Sequence, residues 1–305
     1  MFAKWMKWTF LEAVSKTLTK TLSKLIGQLS VIPAHAFLAT FVMGLVQTIG
    51  GFMMAKTKRV KIITDAGSIF GACMFGFFAT VAGVLGFTVF FLGGDMGVNT
   101  FVITLAIVPG ALIDVIFFKH SLTPRKWLGV GVAVLAGYSI LGWPSLAEVV
   151  ALPIWVWLSF IMMMSVAINQ GITQKIKKID PFVKNFWGGF TTMVLALAGL
   201  LFLGATDLLI EFSRPIPQIW LSSAVIGVIV IGMWSFNLLS YRGGAQIAIK
   251  KLVLNGSYLT MAMVVGILLF GETLTVAKIV GVATYLVAFV LMDDNTWQYF
   301  RSWTT

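Results

Sequence analysis

Apolar residues run in blocks of about twenty along most of this chain, separated by short polar segments rich in lysine and arginine. A helix rises 1.5 Å per residue, so a block of that length covers the ~30 Å hydrocarbon core of a bilayer. Such blocks lie at 33–55, 66–92, 99–118, 127–143, 153–174, 182–204, 219–240, 250–270 and 276–292, which predicts nine membrane-spanning helices. Residues 5–27 follow another pattern. At 100° per residue Leu11, Val14, Leu18, Leu22, Leu25 and Leu29 share one face and Thr9, Lys16, Lys20 and Ser23 the opposite one, with Glu12, Lys16, Lys20 and Lys24 forming a polar stripe. If this helix spans, it carries lysines into the membrane. Each costs about 2.5–3.5 kcal/mol there on insertion scales and is a functional candidate by default.

The 305 residues are 59% hydrophobic and only 11% charged, with a mean hydropathy of +0.96, which excludes a soluble domain. A net charge of +11 could signal a nucleic-acid partner, but the positions of the charges point to membrane topology. With ten spans and a cytosolic N-terminus, the cytosolic segments hold Lys4 and Lys7; Lys56, Lys58, Arg59 and Lys61; Lys119, Arg125 and Lys126; Lys175, Lys177, Lys178 and Lys184; Arg242, Lys250 and Lys251; and Arg301. Only Arg214 and Lys278 fall in outer loops. Nine spans would put the lysines of the first segment outside, against the bias of every other loop. The reading is therefore ten spans with both termini in the cytosol, in a bacterial inner membrane, and no nucleic-acid partner. The basic N-terminal stretch lacks the continuous apolar core of a cleavable signal peptide. The single cysteine, Cys73, lies in a span and allows no intrachain disulfide, and His35 and His120 have no second ligand at metal spacing, so neither a metal nor a cofactor is expected.

The two halves of the chain align with each other. At an offset of 150, Trp5 meets Trp155, Phe10 meets Phe160, Ser15 meets Ser165, Ile26 meets Ile176, and Gly93-Gly94 meets Gly243-Gly244. At an offset of 152, Phe118, Leu122, Thr123, Lys126 and Gly129 meet Phe270, Leu274, Thr275, Lys278 and Gly281. The halves are residues 1–143 and 150–293, with 294–305 as a cytosolic tail. Five spans is an odd number, so the second half inserts upside down. The fold class is thus an all-α polytopic membrane protein whose ten transmembrane helices form two inverted five-helix repeats, with a solute site near the midplane. The stretch from Phe270 to Gly281, FGETLTVAKIVG, and its degenerate counterpart FKHSLTPRKWLG from Phe118 to Gly129 resemble the EamA-like ten-helix members of the drug/metabolite transporter superfamily. The resemblance covers residues 5–293 and implies alternating-access transport of a small organic solute. Lys119-His120 departs from the Gly-Glu of the motif, and the first helix is unusually rich in lysine.

The repeat sets the first and sixth helices opposite each other, so Lys16, Lys20 and Lys24 correspond to Val166, Gln170 and Gln174, with Asn169 and Thr173 alongside. Ammonium and amide donors at low dielectric suit a carboxylate or phosphate. Lys16, Lys20, Asn169, Gln170, Thr173, Gln174 and Asn255 are the candidate contacts to a small anionic solute, and Glu12 and Asp114 the candidates for proton coupling. Plainer roles compete: Lys24 snorkelling to headgroups, Glu12 pairing with Lys16, Asp114 pairing with Lys119, and Glu272 capping the helix after it. Asn237, Asn255, Gln47 and Thr48 suit hydrogen bonds between helices as well as a solute. Trp234 and Tyr258 read first as packing aromatics, and Gly67 and Gly71 as a close helix contact. No catalytic constellation or nucleotide motif occurs, so an enzyme is not expected. The alternative function is a transport-inactive subunit that binds a partner or lipid, with residues 1–30 lying on the membrane surface.

Overall fold

The computed structural model describes residues 4–211, 215–245 and 247–292, together with Trp297. Arg214, Arg301 and the tail beyond 292, Trp297 apart, lie outside the described residues. The described chain is helical throughout: α1 (Lys4–Leu29), α2 (Ala34–Thr57), α3 (Ala66–Phe91), α4 (Met96–Thr104), α5 (Ile107–Phe118), α6 (Pro124–Ile140), α7 (Leu146–Val150), α8 (Ile154–Lys175), α9 (Pro181–Phe202), α10 (Ile216–Arg242), α11 (Ile247–Phe270) and α12 (Val276–Met292). Seven segments are long and apolar enough to cross a membrane: α2, α3, α4 with α5, α8, α9, α10 and residues 253–270 of α11. They mark an integral membrane protein. The 26 residues of α1 have the length but carry too many charges for that set, while α6 and α12, at 17 residues, are about 25 Å long.

Helix boundaries follow local chemistry. Asp65 and Asp95 cap α3 and α4 by accepting from Ser68 N (2.8 Å) and Val98 N (2.7 Å), and Asp180 followed by Pro181 opens α9. The bonds from Ser68 hold the exposed Asp65 carboxyl below the usual carboxylate range. The apolar block 99–118, expected as one helix, is broken between Thr104 and Ile107. Pro109 offers no N–H to Leu105, and its ring crowds that carbonyl. Val108 N turns instead to Leu105 O (2.9 Å), and the Thr104 carbonyl left over accepts from Asn255 Nδ2 (2.9 Å). A broken helix at membrane depth is tolerated where its freed backbone is satisfied inside the protein.

Packing is closest where glycines meet. A Cβ on Gly44 would stand 2.6 Å from Met193 N, and one on Gly51 2.6 Å from Phe186 N, so α2 and α9 touch along their backbones. Along α6 and α12, Gly129 packs on Met292 and Ala288, while Gly281 packs on Ile140 and Ala136. Gly71 seats Ile176, but Gly67 meets only the Asp65 side chain, so the expected small-residue pair on α3 makes a helix contact at one of its two positions.

In α1 the usual amphipathic arrangement is turned round. Thr9, Glu12, Ala13, Lys20, Lys24 and Ile26 are buried among α3, α10 and α11, whereas Phe10, Leu11, Leu18 and Leu25 are exposed. The polar stripe faces the protein and Leu11, Leu18 and Leu25 face outward, while Leu22 packs against the core.

The turns after α5 and α11 share one geometry. Lys119 (φ 54°) and Gly271 (φ 64°) both take the left-handed conformation, followed by His120 N→Asp114 O (3.0 Å) and Glu272 N→Gly266 O (3.1 Å). Lysine pays a steric cost there that glycine does not. Lys119→Gly should raise the thermal unfolding temperature in detergent, with a gain of about 1 kcal/mol; an unchanged or lower temperature would refute strain at this turn.

Candidate functional site

A cavity of about 180 Å3 opens between α1, α2, α3, α8, α10 and α11, with Ile103 of α4 at its edge. Its polar lining comes from Glu12, Lys16, Thr19, Lys20 and Ser23 of α1, Asn169 and Gln170 of α8, Asn237 of α10 and Asn255 of α11. Phe75, Phe87, Trp234 and Tyr258, with Met43, Met162 and Met233, make most of the remaining wall. Trp234 and Tyr258, expected as packing residues, thus line the cavity, and Trp234 stands edge-on to Phe75 with ring centroids 4.5 Å apart.

At one end of the cavity Glu12, 1% exposed, is surrounded by donors. Lys250 Nζ lies 2.8 Å from its Oε2, Lys16 Nζ 3.4 Å from its Oε1, and Asn237 Nδ2 donates to Oε1 at 3.0 Å. Gln170 Oε1 joins the group by accepting from Asn237 Nδ2 (3.0 Å), Tyr241 Oη (2.6 Å) and Lys250 Nζ (3.3 Å). Lys184 Nζ donates to Thr173 Oγ1 (3.0 Å) and lies 3.8 Å from the centre of the Phe75 ring. Each carboxylate, amide and ammonium in the group therefore has partners, as burial at low dielectric demands.

Lys20 is the exception. It is 5% exposed and lines the cavity, and its Nζ has no hydrogen-bond partner among the described residues; the nearest favourable group is the face of Phe90, 4.8 Å away. Two helical turns, about 12 Å, separate it from Glu12 along α1. Lys16 and Lys250 both pair with Glu12, the one carboxylate of the lining, which leaves Lys20 as the lining amine without an ionic partner among the described residues.

The structure brings Lys16, Lys20, Asn169, Gln170 and Asn255 to this one cavity. Asn169, oriented to match donors with acceptors, bridges Phe75 O (3.1 Å) and Ala79 N (3.2 Å) of α3. Asn255 serves the break after α4. Thr173 and Gln174 are buried behind the lining, Thr173 as the partner of Lys184. Asp114 does not line the cavity, and its carboxylate meets His120 Nδ1 at 3.1 Å where Lys119 was the expected partner. Lys24, expected to reach headgroups, is buried and paired with Glu272. Glu272 also accepts from Met96 N and from Gly97 N (3.1 Å), so it ties α1 to the start of α4 and does not cap its own following helix. α1 and α8 approach through the cavity, since α1 packs chiefly on α10, α11 and α3, and α8 on α3, α4 and α5.

Sequence reasoning missed Lys184, Lys250 and Tyr241. Both lysines were read as cytosolic loop residues, yet both are fully buried. Asp180-Pro181 is a helix-start signal that sets Lys184 inside α9. Nothing comparable marks Lys250, whose partners come from α1, α8 and α10.

No protein-family model matches the chain, and no curated protein matches it. Among solved structures, one described as "Crystal structure of protein" superposes with a TM-score of 0.69 at 11% identity, covering 98% of this chain and 99% of that one. The likeness concerns the fold alone.

An unpartnered buried ammonium destabilises, so Lys20→Met should raise thermal stability in detergent by about 2–3 kcal/mol. Glu12→Gln should lower it by about 3–5 kcal/mol, because Lys16 and Lys250 lose their counter-charge in the interior. Equal effects of the two substitutions on the melting temperature would contradict the assigned environments.

Proposed function

We propose that the chain is a secondary transporter that moves a small organic anion by alternating access through the central cavity, as an EamA-like member of the drug/metabolite transporter superfamily. The observation that carries this reading is Lys20, a buried ammonium turned to a cavity with no hydrogen-bond partner among the described residues. Such a charge is stable in a membrane interior when a ligand completes it. The inward polar stripe of α1 favours a spanning first helix over a surface one, since a surface helix would turn Lys20 and Lys24 to headgroups. Glu12, held between Lys250, Lys16 and Asn237, is the fixed counter-charge of the site.

Ten helices in two inverted halves belong to the same proposal. At the offset of 152, Gly129 on Met292 and Ala288 has its counterpart in Gly281 on Ile140 and Ala136, a reciprocity that a two-fold axis generates. The packing of α1 on α10 is matched by that of α3 on α8, and α2 on α10 by α3 on α9. The matched turns at Lys119 and Gly271 follow the same relation. With α1, α6 and α12 as spans, both termini lie in the cytosol of a bacterial inner membrane.

Purified protein in vesicles, tested on carboxylates, phosphates, amino acids and cations, should accumulate an anion. Lys20→Gln should weaken apparent affinity by about ten- to a hundredfold, the worth of one charge-assisted hydrogen bond of roughly 1.5–3 kcal/mol. Preference for a cation, or normal uptake by the variant, refutes the proposal.

A further inference from the structure

Resting on the anion-carrier reading, the geometry points to a narrower ligand class: we infer that the cavity takes a monocarboxylate with one apolar, ring-sized body and no amino group. The charge inventory sets the first limit. Lys16 and Lys20 are the cations among the lining residues, and Lys16 is engaged by Glu12 at 3.4 Å. Lys20 alone is uncommitted, so the site offers one ammonium to one negative group. A dicarboxylate or a phosphate dianion would bring a second charge with no free counter-charge.

The second limit concerns cations on the ligand. Glu12 is the acidic residue of the lining, and Lys250, Lys16 and Asn237 already saturate it. The rest of the polar lining is hydroxyl and amide. The ammonium of an amino acid would enter a lining that already holds Lys16 and Lys20 and would have no free carboxylate to pair with, a like-charge penalty in a poorly screened interior.

Shape sets the third. Between Lys20 and the Glu12 group lie about 12 Å of α1, walled by Phe75, Phe87, Trp234 and the methionines of α2, α8 and α10. Trp234 is one turn from Asn237, the residue that binds Glu12, so the aromatic pair Phe75–Trp234 lies between the two ends, nearer Glu12 than Lys20. Gly83 and Gly86 on α3 keep one wall flat beside Met43 and Met162, whose flexible thioethers adapt to a ring. A volume of about 180 Å3 is below the ~300–1,000 Å3 of pockets for drug-sized molecules. The carboxylate sits on Lys20 Nζ and the ring points toward Trp234.

The test measures uptake of radiolabelled 3-phenylpropionate into vesicles containing the full-length protein. Competition by unlabelled L-phenylalanine, succinate, inorganic phosphate and phenethylammonium accompanies it. Saturable uptake is expected, with each competitor at least tenfold weaker than unlabelled 3-phenylpropionate. Lys20→Gln should raise the concentration for half-maximal uptake at least tenfold, and Lys20→Arg, which keeps the charge, should recover most of that loss. Trp234→Ala should weaken 3-phenylpropionate severalfold more than it weakens acetate, which has no ring. Lys20-dependent uptake of succinate or phosphate in preference to 3-phenylpropionate overturns the inference and leaves the anion carrier standing. L-Phenylalanine competing as well as 3-phenylpropionate overturns it by showing that an ammonium is accommodated. Uptake of none of the anions overturns both.

Discussion

The burial of charge along α1 is the constraint to which the surrounding helices answer. A carboxylate and several ammonium groups in a membrane interior are tolerable only with counter-charge and hydrogen-bond partners, because desolvation of each ion costs several kcal/mol. Glu12 receives Lys250 from α11, Lys16 from its own helix and Asn237 from α10. Gln170 of α8 accepts from three of the donors around it. One carboxylate thus draws four helices together at one end of the cavity. The pair of Lys24 with Glu272 does the same at the far end of α1, where Glu272 also holds the first turn of α4.

Backbone chemistry works alongside the charges. Lipid supplies no hydrogen bonds, so the break forced by Pro109 must be closed from within, and Asn255 closes it. Close crossings rest on glycine, since apolar side chains gain little by leaving lipid for one another and packing has to come from backbone approach. The α2–α9 contact at Gly44, Gly51 and Gly189 and the α6–α12 contact at Gly129 and Gly281 both have this form. A polar interior ringed by close crossings leaves a cavity whose walls are apolar except along α1, α8 and two asparagines. In the proposed transporter that division separates the part of the site that binds charge from the part that binds the rest of the solute.

The asymmetry between the halves matters as much as their likeness. Gln170 stands where the repeat has Lys20, and Met162 where it has Glu12, so the charges belong to α1 and the amides to α8. Lys184 and Lys250, supplied by α9 and α11, add buried amine donors from the second half. In the proposed two-fold scaffold the site is one-sided, as a solute with a distinct head and body requires.

Much of this was written in the chain itself. Block lengths and composition determined an integral membrane protein built of helices, because twenty apolar residues have no other stable environment. The period of α1 determined that its lysines and leucines lie on opposite faces; the candidates Lys16, Lys20, Asn169 and Gln170 came from that period and the repeat, and Asn255 from its polarity within a span. Tertiary structure decided which way α1 turns, since periodicity fixes the angle between two faces and not what each face meets. It also decided that Lys20 is the uncommitted charge while Lys16 is spent on Glu12, that Lys24 belongs to Glu272, and that Lys184 and Lys250 are interior. The pairs of Lys24 with Glu272 and of Lys250 with Glu12 join residues 248 and 238 positions apart, and a sequence names the groups that need a partner without saying which one folding brings within 3 Å.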